Sequence, residues 1–247
     1  MATPVVGMIV PPAAGEVPPE ARALFPDAIR FVARGLGLRA LTMEDYAIAI
    51  ERVAELSREL RREEGIDAIS LMGTSLSFFR GGAFNDDLVA VMEREAGVPA
   101  TTMSNSIRDG LWAVGARRVA VGTAYTDAVN DRLRAFLERE GFELASLIGM
   151  GLEEIAAIQS VGEDDVTALA LRAMETARGG ADAILVSCGG LPATHLAGAV
   201  EPKAGVPVIA SSTAGVWGAV RLLGQDGASP ALGALGRIAP EGLRPAG

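Results

Sequence analysis

Gly65-Ile-Asp-Ala-Ile-Ser-Leu-Met-Gly73 and Gly180-Ala-Asp-Ala-Ile-Leu-Val-Ser-Cys188 are two versions of one segment. Each opens on glycine, places Asp third and then runs apolar to its end. A short apolar run of this kind reads as a buried strand. Outward from it, Gly97-Val-Pro99 matches Gly205-Val-Pro207, each opening a further strand. Gly110-Leu-Trp112 matches Gly215-Val-Trp217, each in the helix that follows. Three matches in the same order are hard to assign to chance. They predict two similar halves, residues 1–113 and 114–214, with segment 215–247 joined to the first. From Gly224 onward the chain is rich in Gly, Ala and Pro and carries little signal.

Strands are expected at Val5–Val10, Ala68–Met72, Ala100–Met103, Val119–Thr123, Leu144–Ile148, Ala183–Ser187 and Val206–Ala210. They are short, often rich in β-branched residues, and often edged by Gly or Pro. Between them lie amphipathic runs such as Met43–Glu64, where Tyr46, Ile50, Val53, Leu56 and Leu60 recur at helical spacing. Thr42, with Asp45 behind it, is a candidate N-cap. Alternating elements with near-continuous apolar strands indicate parallel sheets covered on both faces. The fold class is therefore α/β, with two pseudo-symmetric domains, each a short parallel sheet flanked by helices. Ligands of such sheets bind beyond the carboxyl ends of the strands, so the site is expected at the interface of the halves.

Composition narrows the function. The 247 residues include one cysteine, one histidine, 31 acidic and 22 basic side chains. A lone Cys188 forbids an intrachain disulfide. One Cys and one His are too few for a structural zinc site, which takes about four such ligands. A net charge of -9 argues against nucleic acid as a partner. No apolar run approaches the ~18 residues of a membrane span. The first residues lack a basic region, and Pro11-Pro12 interrupts the apolar stretch there, so no signal peptide is read. A cytoplasmic protein is expected, and a monomer, since neither a coiled coil nor an apolar surface stripe is evident.

Gly73 and Cys188 take the same position in the repeat, at the end of a strand. One half presents a thiol, and the other presents nothing. In Ser187-Cys-Gly-Gly190, backbone N–H groups at a strand-to-helix turn can face the thiol or bind an anion beside it. Gly189 and Gly190 permit close approach of a ligand. A lone cysteine is more often buried and inert, and position is what favours function here. Thr74 and Ser75 follow Gly73 and serve equally as an oxyanion nest or as a helix cap. Tyr125, after Val119–Thr123, either turns its phenol into the cleft or is a half-buried aromatic. His195 sits seven residues after Cys188, a spacing that favours a structural role on the next helix over a Cys–His pair. Trp112 and Trp217 read as helix core. Neither a P-loop nor a dinucleotide fingerprint occurs, since Gly35-Leu-Gly-Leu lacks the third glycine and the acidic partner. No cofactor and no metal are expected.

Four stretches together carry a resemblance: Gly7-Met-Ile-Val-Pro-Pro-Ala-Ala-Gly15, Ser70-Leu-Met-Gly-Thr-Ser-Leu-Ser-Phe78, Gly122-Thr-Ala-Tyr125 and Ser187-Cys-Gly-Gly190. The chain resembles the arylmalonate decarboxylase family, within the aspartate/glutamate racemase and maleate isomerase superfamily, from about residue 5 to 222. The resemblance implies two pseudo-symmetric α/β domains with the active site between them. Racemases and isomerases of that superfamily use two cysteines, one per half. Here Gly73 replaces the first, which suits a reaction needing a single acid.

The implied activity is cofactor-independent decarboxylation of α-aryl or alkenyl malonates, with a small dicarboxylate as the substrate. By resemblance, one carboxylate is held by the hydroxyls of Thr74, Ser75 and Tyr125 and by the N–H groups of Ser75, Cys188 and Gly189. The other lies among Leu38, Leu41, Leu76, Ile155 and Ile158, with Pro11, Gly73 and Gly190 also on the binding surface. The chain departs from the family pattern mainly at Leu41, Ile155 and Ile158. Cys188 then protonates the enediolate from one face, giving one enantiomer of an α-arylalkanoic acid. The alternatives are a racemase or maleate cis–trans isomerase, a Cys188–His195 thiol hydrolase, and a non-catalytic carboxylate-binding module.

Overall fold

The computed structural model describes residues 3–38 and 43–238, with only the backbone for 43–50. In chain order the elements are β1 (Val5–Val10), α1 (Pro19–Leu24), β2 (Arg30–Gly35), α2 (Met43–Glu64), β3 (Ala68–Leu71), α3 (Thr74–Phe78), α4 (Gly82–Ala96), β4 (Ala100–Thr102) and α5 (Met103–Ala113). Then follow β5 (Arg118–Thr123), α6 (Asp127–Arg139), β6 (Glu143–Gly149), α7 (Ile155–Gln159), α8 (Glu163–Thr176), β7 (Ala183–Ser187), α9 (Leu196–Ala204), β8 (Val208–Ala210) and α10 (Ser211–Arg221). Two short 3-10 turns, Pro230–Leu232 and Leu235–Arg237, close the described chain. No helix among the described residues is long and apolar enough to cross a membrane.

The strands form two parallel four-stranded sheets, ordered β2-β1-β3-β4 and β6-β5-β7-β8. The same order in both is what the repeat requires. Its aspartates show why the repeated residues recur. Asp67 accepts from the Val5 amide at 2.9 Å, and Asp182 accepts from those of Arg117 and Arg118 at 2.9 and 2.8 Å. Each clamps the start of β3 or β7 to the strand beside it. The Arg118 and Arg117 amides hold the Asp182 carboxyl below its ordinary range.

Gly97 and Gly205 end α4 and α9 at φ of 63° and 70°, a left-handed cap that glycine adopts without strain. Two residues on, the carbonyls of Pro99 and Pro207 accept from Ile69 and Ile184 at 3.0 and 2.9 Å. The Gly-Val-Pro signature is thus a helix stop followed by a strand pairing.

Strand β2 was not expected from the sequence. Arg30 and Arg34 interrupt its apolar pattern, and it lies at the edge of its sheet, where only one side pairs. Those arginines reach α2 instead, with Arg30 on Glu64 at 3.0 Å and Arg34 on Glu63 and Glu64 at 3.0 and 3.1 Å. In α2, Val53, Leu56 and Leu60 are buried as the periodicity predicts, each burial stabilising by roughly 1.5–3 kcal/mol. Thr42 and Leu41 lie outside the described residues, as do the side chains of Asp45, Tyr46 and Ile50. Met103 starts α5 and does not end β4, because the Thr102 hydroxyl accepts from the Asn105 amide at 3.2 Å and caps the helix.

Helices α5 and α10 follow the equivalent strands β4 and β8 and pack on each other. Gly215 allows that approach, for a Cβ there would meet Met72 and Met103 side-chain atoms at 3.0 and 3.2 Å. Trp217, on α10, is buried, whereas Trp112 is half-buried, tilted at 47° to Phe142 with Arg117 over its ring.

Candidate active site

Four strand ends meet at one cavity of about 790 Å³. Pro11 follows β1, Gly73 follows β3, Tyr125 follows β5 and Cys188 follows β7, and all four line it. Strands β1 and β3 are the central pair of one sheet, and β5 and β7 the central pair of the other. Between each pair the connections diverge to opposite sides, which opens a crevice at the carboxyl ends. The volume suits a small organic ligand.

Cys188 is 8% exposed and stands at the head of a turn closed by the Leu191 amide on its carbonyl, at 3.3 Å. Burial pushes its thiol up to about 11. The Gly190 amide, the Tyr125 hydroxyl and the Leu191 amide pull the other way and do not overcome it. The group is therefore a protonated thiol at neutral pH, an acid and not a ready nucleophile. Its own amide donates to Ser211 Oγ at 3.1 Å. This differs from the substrate contact expected of that amide. A buried N–H needs a partner, and the first residue of α10 supplies one.

The opposing donors sit at the start of α3. A helix leaves its first N–H groups without partners inside the helix. The Thr74 carbonyl accepts from Ser77 Oγ at 2.9 Å and Ser104 Oγ at 3.1 Å, and those two buried hydroxyls lie 2.5 Å apart. In a trans peptide the N–H points opposite the carbonyl. The Ser75 amide is thereby directed away from the two serines. Thr74 Oγ1 donates to Met103 Sδ at 2.8 Å, and a thioether is a weak acceptor. Ser75 also lines the cavity.

Tyr125 is 1% exposed, edge-on to Phe78 with ring centroids 6.1 Å apart. Its amide donates to Thr123 Oγ1 at 3.1 Å, and its carbonyl accepts from the Gly151 amide at 3.1 Å. Ser187 Oγ donates to its hydroxyl oxygen at 3.5 Å. The phenol is thus fixed beside the thiol.

Ile155 and Ile158, on α7, form apolar wall, and Gly190 leaves room for them, since a Cβ there would come 2.9 Å from Ile158 Cγ2. Gly189 likewise faces Met103, 3.0 Å from a Cβ at that position. Leu38 and Leu76 are buried in the apolar cluster of the first half, against which Ile155 packs, and do not reach the cavity surface. Leu76 stands directly behind Gly73, and Leu38 donates its amide to the Pro11 carbonyl at 2.9 Å. His195 does not line the cavity. Its Nε2 lies 3.0 Å from Thr167 Oγ1 and 3.1 Å from the Glu163 carbonyl, tying α8 to α9.

Sequence reasoning missed Met72, Met103, Ser211, Ser212 and Glu20. Ser211-Ser212-Thr213 directly follows a strand, the same signal that pointed to Thr74 and Ser75. Glu20 gave no signal in the sequence. It is a carboxyl 5% exposed on the cavity wall, raised above its ordinary range by burial against the opposing pull of its own amide, the Ser212 hydroxyl and the Ala193 amide.

Comparisons with known proteins place the chain in a family. A family profile described as arylmalonate decarboxylase matches residues 6–236. The arylmalonate decarboxylase of Bordetella bronchiseptica is 46% identical over 239 residues, 97% of this chain and 98% of its own. A liganded crystal structure of arylmalonate decarboxylase, with a cysteine introduced for a glycine and a serine for a cysteine, superposes with a TM-score of 0.90. The identity is 45%, covering 94% of this chain and 98% of that one. A maleate isomerase from Pseudomonas putida shares the fold, with a TM-score of 0.85 at 22% identity over 96% of this chain and 98% of its own. The chain belongs to the arylmalonate decarboxylase family, whose members are carboxy-lyases.

Proposed function

We propose that this protein decarboxylates α-aryl or alkenyl malonates without a cofactor and protonates the resulting enediolate with Cys188. One observation carries the reading: of two equivalent strand ends lining one cavity, one bears a thiol and the other a glycine. A racemase needs an acid on each face of the substrate carbon. Decarboxylation needs one, because one substituent leaves and one proton arrives.

One carboxylate accepts hydrogen bonds from Thr74, Ser75 and Tyr125 and from the Ser75 and Gly189 amides. Its oxygen displaces Met103 Sδ as the acceptor for Thr74, being much the stronger one. The second carboxylate faces Ile155 and Ile158, where a poorly solvated charge is unfavourable and neutral CO2 is not. As CO2 leaves, charge moves onto the held carboxylate, and each pre-aimed donor stabilises the transition state by about 2.7–4 kcal/mol. Cys188 delivers its proton to the α-carbon from one side only, so the product is a single enantiomer.

Mixing the protein with phenylmalonate in weak buffer tests this. Loss of CO2 from the dianion consumes a proton, so the pH rises, with EDTA present. A constant pH, with maleate or an amino acid turned over instead, overturns the assignment in favour of the isomerase or racemase reading.

A further inference from the structure

Each turnover leaves Cys188 as a thiolate in a buried place, and no second cycle starts until the sulfur regains a proton. Glu20 is a buried acid on the same cavity that the decarboxylation steps do not use. It lies in the first turn of α1, beside the Ser212 hydroxyl and the Ala193 amide. Ser212 adjoins Ser211, whose Oγ holds the Cys188 amide, and Ala193 belongs to the loop that Cys188 begins. Contacts on both sides of the thiol's loop thus hold one carboxyl in the same chamber as one thiol. We propose that Glu20 is the proton store that recharges Cys188 between turnovers, through water in the cavity.

The proposal rests on the decarboxylase reading. The Sγ–H bond breaks as the α-carbon gains its proton, leaving a thiolate. A cavity water then gives a proton to Sγ while the Glu20 O–H breaks to restore that water. The Glu20 carboxylate regains its proton from solvent where the exposed Glu16 lines the cavity mouth. No electrons change hands, and each CO2 costs one solvent proton. Transfer runs downhill, since a thiol at about 11 holds its proton far more tightly than any carboxyl.

The other titratable groups on the cavity are Glu16, Glu163, Tyr125 and Cys188. Arg22 shares α1 with Glu20. On α10, packed against α1, the basic residue is Arg221, at the far end of the helix over Trp217.

The test is CO2 release from phenylmalonate by the full chain, read in the first turnover and in steady state. In Glu20→Gln, the first turnover keeps the wild-type rate, because Cys188 starts protonated, and later turnovers slow by about a hundredfold. Formic or acetic acid restores them in proportion to its undissociated form, and Glu20→Asp retains part of the rate. Equal slowing of first and later turnovers without such rescue means a structural role and overturns the proposal, as does unimpaired turnover. The wild type gives a second readout that needs no variant. Its steady-state rate falls as pH rises through a range above the ordinary carboxyl value while the first turnover does not, and parallel profiles overturn the proposal. A wild type that releases no CO2 removes the decarboxylase reading itself, and the relay with it. An active wild type with an unaffected Glu20→Gln removes the relay alone.

Discussion

Gly73 and Cys188 follow equivalent strands of two like sheets and line one cavity, and at that shared position one half carries a thiol and the other no side chain. The missing side chain is not forced by space. Gly73 has an extended backbone, φ −134° and ψ 95°, open to any residue. A Cβ there would lie 3.3 Å from Leu76 Cβ and 3.4 Å from Pro11 Cγ, which is tight but admissible with a small shift. The absence of a second thiol at that position is therefore a chemical property of the site and not a packing necessity.

Cys188→Ser keeps the shape and removes the acid, because an alkyl hydroxyl gives up its proton far less readily than a thiol. Steady-state CO2 release from phenylmalonate should fall by about 10²–10⁴ with the fold intact by circular dichroism. Activity within a few-fold of wild type would exclude Cys188 as the proton donor.

Gly73→Cys should fold, destabilised by about 1–3 kcal/mol as Leu76 and Pro11 adjust. It places an acid on the opposite face, so with α-methyl-α-phenylmalonate, whose product is chiral, chromatography on a chiral phase should show eroded enantiopurity. Product as pure as before would disprove the two-face argument.

The thiol itself can be titrated. With Cys188 near 11 against 9.0 for an unperturbed cysteine, its thiolate fraction at pH 8 is about a hundredfold lower. Alkylation by iodoacetamide should be correspondingly slow and should climb with pH until the thiol ionises near 11. A plateau reached near pH 9 would show that the site does not hold the thiol protonated.

Ser104→Ala removes one of two hydroxyls on the Thr74 carbonyl and leaves Ser77 Oγ without its 2.5 Å neighbour. Unfolding in urea should show a loss of about 1–2 kcal/mol. The rate constant kcat should fall too, by roughly tenfold if some 1.4 kcal/mol of aim at the Ser75 amide is lost. Lost stability with unchanged kcat would confine Ser104 to structure.

Glu20 makes a prediction about stability against pH that is separate from its role in turnover. Its folded carboxyl is raised above 4.5, so the folded state holds the proton more tightly than the unfolded chain does. Its contribution is fully present below the ordinary carboxyl range and is lost as pH rises through the raised value. The difference in unfolding free energy, wild type minus Glu20→Gln, should therefore decline with rising pH and then level off. Taking the difference cancels the opposite slope of lowered carboxyls such as Asp182. A difference that grows with pH would reverse the assigned shift.

Much of the fold was legible because its signals are local. The two Asp-bearing segments predict β3 and β7, and the Gly-Val-Pro pairs mark a helix stop and a strand start, since left-handed caps and apolar runs leave direct traces in composition. β2 left no such trace, because an edge strand with two arginines draws its order from a neighbour strand and from α2. The site was legible where residues follow strand ends, as Thr74, Ser75, Tyr125 and Cys188 do.

The sequence by itself determined the parallel α/β halves, the single thiol and the glycine that matches it. Tertiary structure decided the rest, because burial and partner choice come from residues distant along the chain. It placed Ser104 on the Thr74 carbonyl across 30 positions and gave the Cys188 amide to Ser211. It set Leu38 and Leu76 behind the wall and not on it. It also brought Glu20, an isolated acid after two prolines, into the same chamber as Cys188. Only the fold removes water from both groups, and that removal pushes the thiol and the carboxyl up from their ordinary ranges.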